Sequence, residues 1–253
     1  MDNKKIICVV PARLGSTRFP RKMVALLENK PLVQWAYEGA VQCGCFDEVV
    51  VAVDGEELYA VVTGFGGRAV MTSMSCLNGT ERLAELQRKG IMEGDIWVCW
   101  QGDEPFIQKE TIHALLQTID HSDEEIWTLK KKIYNTQQVH SPNVVKVVSN
   151  KDGKALYFSR SPIPYSLSDN ETFYKHVGIY AYRDAALKKI GILSPVPIEE
   201  VEKLEQLRFL YHGMSIRVHE TNQEIFGIDT KEDLDLAQQM CYTPSHYDNR
   251  AIT

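Results

Sequence analysis

Residues 11–22, PARLGSTRFPRK, leave an apolar run and set four cations, Arg13, Arg18, Arg21 and Lys22, around Gly15, Ser16 and Thr17. A surface turn has no use for that density of charge; a loop that holds a polyanion does. Backbone amides at Gly15, Ser16 and Thr17 can turn inward as an anion-binding nest, and the planar guanidinium suits phosphate oxygens. The pattern is neither the P-loop G-x-x-x-x-G-K-[ST] nor the dinucleotide G-x-G-x-x-G. Residue types alone leave two readings, a phosphate cradle or a solvated basic loop.

Asp103 and Glu104 in QGDEP directly follow an apolar strand. A carboxylate there suits a hard cation such as Mg²⁺, or it caps the helix downstream. Asp229 in FGIDTKEDL has the same two readings, as a metal ligand or, with Thr230, as a cap. His176 and Tyr180 share one strand face with Tyr182, which fits a ligand contact or an aromatic stripe in the core. Glu205, Gln206 and Arg208 lie on an amphipathic stretch, where exposure or intrahelical pairing is the plain expectation. No Ser/His/Asp, Cys/His or H-E-x-x-H arrangement is legible in the spacing.

These residues need a scaffold. KIICVV ending at Pro11 reads as a buried strand, PLVQWAYEGAVQCG as a helix closed near Gly44, and DEVVVAVD as a second strand. GEELYAVVTGFG reads as a helix, RAVMTS as a strand and GTERLAELQRKG as a helix. DIWVCWQGDEP is a strand entering an acidic turn, and KETIHALLQTID a helix. Such alternation over about the first 120 residues predicts an α/β fold, a mainly parallel sheet with helices on both faces. Ligands of such sheets sit beyond the carboxyl ends of the strands, near the switch in strand order. Both the opening loop and QGDEP fall at that rim.

The alternation then breaks. NVVKVVSNKDGKALYFSR reads as a hairpin turning at KDG, and HVGIYAYR as a strand followed by a helix to about Ile190. IEEVEKLEQLRFLYHG reads as one long amphipathic helix closed by Gly213, SIRVHET as a strand and TKEDLDLAQQM as a final helix. No repeat, low-complexity tract or linker divides residues 1–253, which read as one domain; the last dozen or so residues are expected to fray.

The chain is 44% hydrophobic and 25% charged, with 28 Lys+Arg against 34 Asp+Glu for a net charge of −6. That balance builds a packed core and argues against a nucleic-acid or anionic-membrane surface. The six cysteines form no C-x-x-C, and Cys8 and Cys99 fall in apolar runs where small buried thiols belong. Reduced cysteines, a short N-terminal apolar stretch followed at once by charge, and no apolar window of membrane length predict a cytoplasmic protein without membrane insertion.

Taken in order, PARLGSTRFPRK, NGTERLAE, QGDEP, VVKVV with GKALYFSRSPIPY, HVGIYAYR, LEQLR and GIDTKEDLDLA resemble the 3-deoxy-manno-octulosonate (Kdo) cytidylyltransferases, the CMP-Kdo synthetases. The resemblance runs from about Ile6 to Ala237. It implies a Rossmann-like nucleotide-diphospho-sugar transferase fold with an inserted hairpin and dimerisation region. A nucleotide-binding part would span about residues 1–125 and a sugar-binding and dimerisation part about 126–240. It further implies a homodimer that uses Mg²⁺ to join CTP to Kdo, giving CMP-Kdo and pyrophosphate, for lipopolysaccharide assembly.

By motif, Arg13, Ser16 and Lys22 would meet the CTP phosphates, and Thr80 and Arg82 would line the nucleotide side. Gln101, Arg160, His176, Tyr180, Glu205 and Gln206 would face the sugar acid. Asp103 and Asp229 would hold the metal and, with Lys22, form the catalytic set. The family's P-G-K-P is here Pro20-Arg21-Lys22-Met23, its T-D-D is Val53-Asp54-Gly55, and its N-V before Q-G-D-E-P is Cys99-Trp100. Arg21 resembles the P-R-K of sialic acid synthetases and is expected to add a cation beside the phosphate site. Alternatives are a cytidylyltransferase for 8-amino-Kdo or a sialic-acid-like sugar, and a non-catalytic nucleotide-binding relative.

Overall fold

The computed structural model describes residues 4–16, 18–167 and 171–242; Thr17 of the expected nest and the expected frayed end from residue 243 lie outside the described residues. β1 (Ile6–Ala12) leads into the cationic loop, and a small hairpin of β2 (Leu26–Leu27) and β3 (Lys30–Pro31) precedes α1 (Leu32–Cys43). Then come β4 (Glu48–Val53), α2 (Glu56–Gly64), β5 (Ala69–Met71), α3 (Gly79–Arg88), β6 (Ile96–Cys99) and α4 (Lys109–Leu116). β7 (Ile126–Lys132), α5 (Thr136–His140), the hairpin of β8 (Lys146–Ser149) and β9 (Ala155–Ser159), and β10 (Tyr174–Arg183) follow. The chain continues through α6 (Asp184–Ile190), α7 (Pro197–Glu202), α8 (Gln206–Tyr211), β11 (Ile216–Glu220) and α9 (Lys231–Tyr242).

One sheet runs in the order β11-β7-β10-β6-β1-β4-β5, with β8 beside β10 and β9 beside β8. β1 is parallel to both β4 and β6, β4 to β5, and β7 to β11; β10 is antiparallel to β6 and β7. The chain builds outward from β1 on one side through β4 and β5, then crosses to β6 on the other. The switch in strand order therefore falls at the carboxyl ends of β1 and β6, the expected position for a ligand.

The reason the strands read as unbroken apolar runs is that both faces are covered. Cys8, Val10 and Ala12 of β1 bury with α1 (Val33, Ala36), α2 (Leu58, Val62) and α4 (Ile112, Leu115). Ile7 and Val9 bury on the opposite face with α3 (Leu83, Leu86), α6 (Leu187, Ile190) and α8 (Leu207, Phe209). Each fully buried aliphatic side chain contributes about 1.5–3 kcal/mol, so the rim loops rest on a rigid base. α1 stops at Gly44, whose left-handed φ of 64° any side chain would resist.

The expected single helix over 198–213 is not formed. It is α7 and α8, broken at Lys203, which adopts φ 54°. The break re-aims the second segment so that Leu204, Leu207 and Phe209 bury, while Val201 stays 83% exposed. Arg208 reaches back across it and donates to both Glu199 oxygens, at 2.7 and 2.6 Å. Exposure is therefore the wrong expectation for this stretch: Gln206 and Arg208 are buried.

Candidate active site

A cavity of about 300 Å³ opens at the switch point, lined among others by Arg13, Ser16, Arg18, Lys22, Arg82, Gln101, Asp103, Glu205 and Asp229. Lys22 stands in the single 3₁₀ turn that follows the cationic loop, and its side chain is only 6% exposed. Its ammonium donates to Asp103 Oδ2 at 2.6 Å and Asp229 Oδ1 at 3.0 Å. Arg18 also reaches Asp229 Oδ1, at 3.0 Å. Arg13 is exposed on the rim.

Two expectations for this loop fail. The Ser16 amide donates to Leu14 O at 2.9 Å, so it does not turn inward as a nest, although Ser16 lines the cavity. Arg21, at φ 59°, directs both terminal nitrogens onto the Glu57 carboxylate of α2 and adds no cation to the phosphate site. The acidic first turn of α2 attracts it.

The capping readings are resolved by the helix starts. α4 begins at Lys109 with Gln108 as its cap, so neither Asp103 nor Glu104 caps it. Trp100 Nε1 donates to Glu104 O at 3.2 Å, and the Ile228 amide to Asp103 O at 2.9 Å, which ties the QGDEP turn to the loop bearing Asp229. Thr230 Oγ1 accepts from the Asp233 amide and caps α9, leaving the Asp229 carboxylate for Lys22. A Cβ on Gly102 would stand 2.9 Å from both Met23 Sδ and Pro11 O, so the turn closes against the loop only with glycine. The chain's own Met23 and Trp100 thus pack and brace the motif.

Glu104 Oε2 is buried with no hydrogen-bond partner among the described residues. Burial, and then Asp103 and Asp229, push its carboxyl up to about 8, opposed by Lys22. No group of three or more metal-ligating side chains occurs among the described residues. Two carboxylates that already converge on one cationic nitrogen still fit Mg²⁺, which keeps several waters and takes other ligands from substrate phosphates.

Across the cavity, α3 is capped by Asn78, whose Oδ1 accepts from the Glu81 amide. Thr80 is buried: its hydroxyl donates to Glu205 Oε1 at 2.8 Å and lies 3.0 Å from the Tyr182 hydroxyl. Burial lifts the Glu205 carboxyl to about 7, against the Thr80 hydrogen bond and Arg208. Arg82 is buried yet borders the cavity beside Asn78 and Gly79.

The remaining expected sugar contacts stand outside the cavity lining. Arg160 donates to the Glu202, Lys203 and Pro142 carbonyls, so it clamps the α7–α8 joint. His176 bonds Thr128 Oγ1 at 3.0 Å and packs on Phe158 and Tyr180; burial takes its imidazole down to about 3, so it is neutral. Tyr180 stacks on Tyr182, and its hydroxyl is buried with no hydrogen-bond partner among the described residues. Gln206 is buried in the first turn of α8. Sequence reasoning missed the Lys22 bridge and the Arg82–Asp54 contact at 3.2 Å, although Asp54 was already marked by its place in the Val53-Asp54-Gly55 counterpart of the family's T-D-D.

The cytidylyltransferase family model matches residues 7–216. The 3-deoxy-manno-octulosonate cytidylyltransferase of Thermodesulfovibrio yellowstonii is 45% identical, with 94% of this chain and 99% of that protein covered. The chain belongs to the 3-deoxy-manno-octulosonate cytidylyltransferase family. This cytidylyltransferase superposes on a solved CMP:2-keto-3-deoxy-manno-octonic acid synthetase complexed with CTP at a TM-score of 0.89, with 39% identity and 94% and 98% of the two chains covered. A 4-diphosphocytidyl-2C-methyl-D-erythritol synthase from Anaerococcus prevotii shares only the fold, with a TM-score of 0.64 at 11% identity over 95% of this chain and all of that one. The α/β expectation, a mostly parallel sheet with helices on both faces, therefore holds. No helix among the described residues is long and apolar enough to cross a membrane.

Proposed function

We propose that this cytidylyltransferase transfers CMP from CTP to Kdo and releases pyrophosphate, with Mg²⁺ held by Asp103 and Asp229. The observation that carries the reading is the convergence of Asp103, Asp229, Lys22 and the rim cations Arg13 and Arg18 at the strand switch. A sugar hydroxyl attacks the α-phosphorus while pyrophosphate leaves, so charge collects on phosphate oxygens and positioning carries the catalysis. Arg13, Arg18 and Lys22 balance that charge, and Ser16 contributes a hydroxyl. When bound, the metal polarises phosphate oxygens and acidifies the attacking hydroxyl.

Residues up to about 125 would take the nucleotide, with Thr80 and Arg82 at its end of the cavity. In the later part Glu205, with Gln101 from the rim, would meet the sugar, with the buried Tyr180 behind them. Arg160, His176 and Gln206 would shape that wall. The chain would act as a homodimer in the cytoplasm, feeding lipopolysaccharide assembly. Leu156, Tyr165 and Leu167, 61%, 87% and 93% exposed in and beyond the β8–β9 hairpin, support a covering second copy. The test is pyrophosphate release with Mg²⁺ and Kdo, 8-amino-Kdo or sialic acid, using CTP, ATP or GTP. CTP with Kdo should be fastest; equal rates with a purine triphosphate, or preference for another acid sugar, would refute it.

A further inference from the structure

Arg82 is the most enclosed cation of the cavity, its side chain only 3% exposed. Nη1 donates to Thr72 Oγ1 at 2.7 Å and Ser73 O at 3.3 Å, and Nη2 donates to Asp54 Oδ2 at 3.2 Å. The Thr72 hydroxyl sends its own proton to Val53 O at 2.9 Å, so its lone pair is free for Arg82. Val53 ends β4, two strands from β6, and Asp54 follows it; neither Asp54 nor Thr72 lines the cavity. The guanidinium is thus gripped from behind by the end of β4 and the segment after β5, while the same side chain borders the cavity beside Asn78 and Gly79. A guanidinium has five N–H donors in a fixed fork, so fixing three contacts fixes the direction of the rest.

We infer that Asp54 is a positioning residue for the nucleotide, acting through Arg82. The inference rests on the reading that the cavity takes a nucleoside triphosphate. Two physical effects of removing Asp54 have opposite signs. Losing a negative charge near the cavity raises its positive potential, which alone tightens anion binding. Losing the acceptor lets the fork turn, which weakens binding because the fork must then be ordered by the ligand. Orientation is the larger effect if Asp54 positions Arg82.

Asp54→Ala removes charge and acceptor, whereas Asp54→Asn removes the charge and keeps a carbonyl oxygen in place. CTP binding by calorimetry reads both without needing turnover. Asp54→Ala should raise the CTP Kd about tenfold, the loss of one charge-assisted contact, and Asp54→Asn should raise it less. In the active enzyme kcat should stay within about twofold and the KM for Kdo should not move, because the contact serves the nucleotide in ground and transition state alike. In an Arg82→Lys background, which has no fork, Asp54→Ala should change the Kd by less than about twofold. Asp54→Ser carries the same comparisons if the alanine variant fails to fold. A Kd equal to or tighter than wild type, or the full tenfold loss persisting in the Arg82→Lys background, would overturn the inference. Wild-type protein that binds CTP without turning over Kdo would overturn only the sugar assignment, and the Kd comparison would still decide Asp54. Wild-type protein that binds no nucleoside triphosphate would overturn both.

Discussion

Replacing Lys22 by methionine keeps the unbranched apolar stem and removes the charge that bridges Asp103 and Asp229. Because both carboxylate oxygens touch the same nitrogen, they lie within about 6 Å of each other, where unscreened repulsion at effective dielectrics of 20–80 is about 1–3 kcal/mol. Breaking a fully buried pair costs about 3–5 kcal/mol, but the carboxylates here are 26% and 43% exposed, so solvent absorbs much of that. A destabilisation of about 2 kcal/mol in the metal-free protein follows, or about 4–8 °C in melting temperature for a chain of this size. Mg²⁺ should restore most of it, since a dication between the two carboxylates does what the ammonium did. The wild-type protein should respond less to Mg²⁺, because the cation must first displace Lys22. Thermal melts of both proteins in EDTA and across a MgCl₂ titration measure all of this. Pyrophosphate release should still fall by at least about 10², since the proposed phosphate contact would be gone. A variant that melts like wild type without metal, and shifts identically with it, would show that Lys22 does not hold the two carboxylates.

Asp103→Asn should lower kcat by about 10²–10³. It should also cost the ligand-free protein about 1 kcal/mol or less, because Lys22 loses a carboxylate partner; melting and turnover of one preparation test both. Burial keeps Glu205 protonated up to about pH 7, whereas the unfolded chain releases that proton near 4.5. The folded state therefore loses stability as pH rises between those values and levels off above them. Glu205→Gln should remove about 1–2 kcal/mol of that fall, after allowance for partial exposure; parallel urea-melt stabilities at pH 5 and 8 would refute it. Arg160→Ala unclamps the α7–α8 joint and should cost about 1–3 kcal/mol while raising the KM for Kdo and sparing that for CTP; an equal rise in both would contradict this placement.

What the sequence revealed and what it hid have physical reasons. β1, β4 and β6 were legible because strands covered on both faces are apolar throughout. β7 was missed because IWTLKKK is apolar only in its first half; the second half is partly exposed, with Lys130 donating to Ser149. Asp103 and Asp229 could be singled out as residues just past apolar strands or before a helix. Their joint hold on Lys22 could not, since it spans 81 and 207 residues of chain and exists only once the sheet is built. The break at Lys203 left the charge pattern undisturbed, so periodicity carried straight through it. Arg21 shows the limit of reading charge by proximity: next to Lys22 in sequence, it turns the other way.

β10 joins the two halves of the sheet, and its position has a kinetic cost. β6 ends at Cys99 and its outer edge is closed only by β10, whose last residue is Arg183. At a synthesis rate of about 5–20 residues per second, β6 waits about 4–17 s on the ribosome with an open edge of buried apolar residues, and β7, on the far side of the gap that β10 fills, waits for the same strand. The first half of the chain is therefore translated long before its sheet can be completed. During that interval a hydrophobic strand edge is the main thing a chaperone, or a neighbouring nascent chain, would meet.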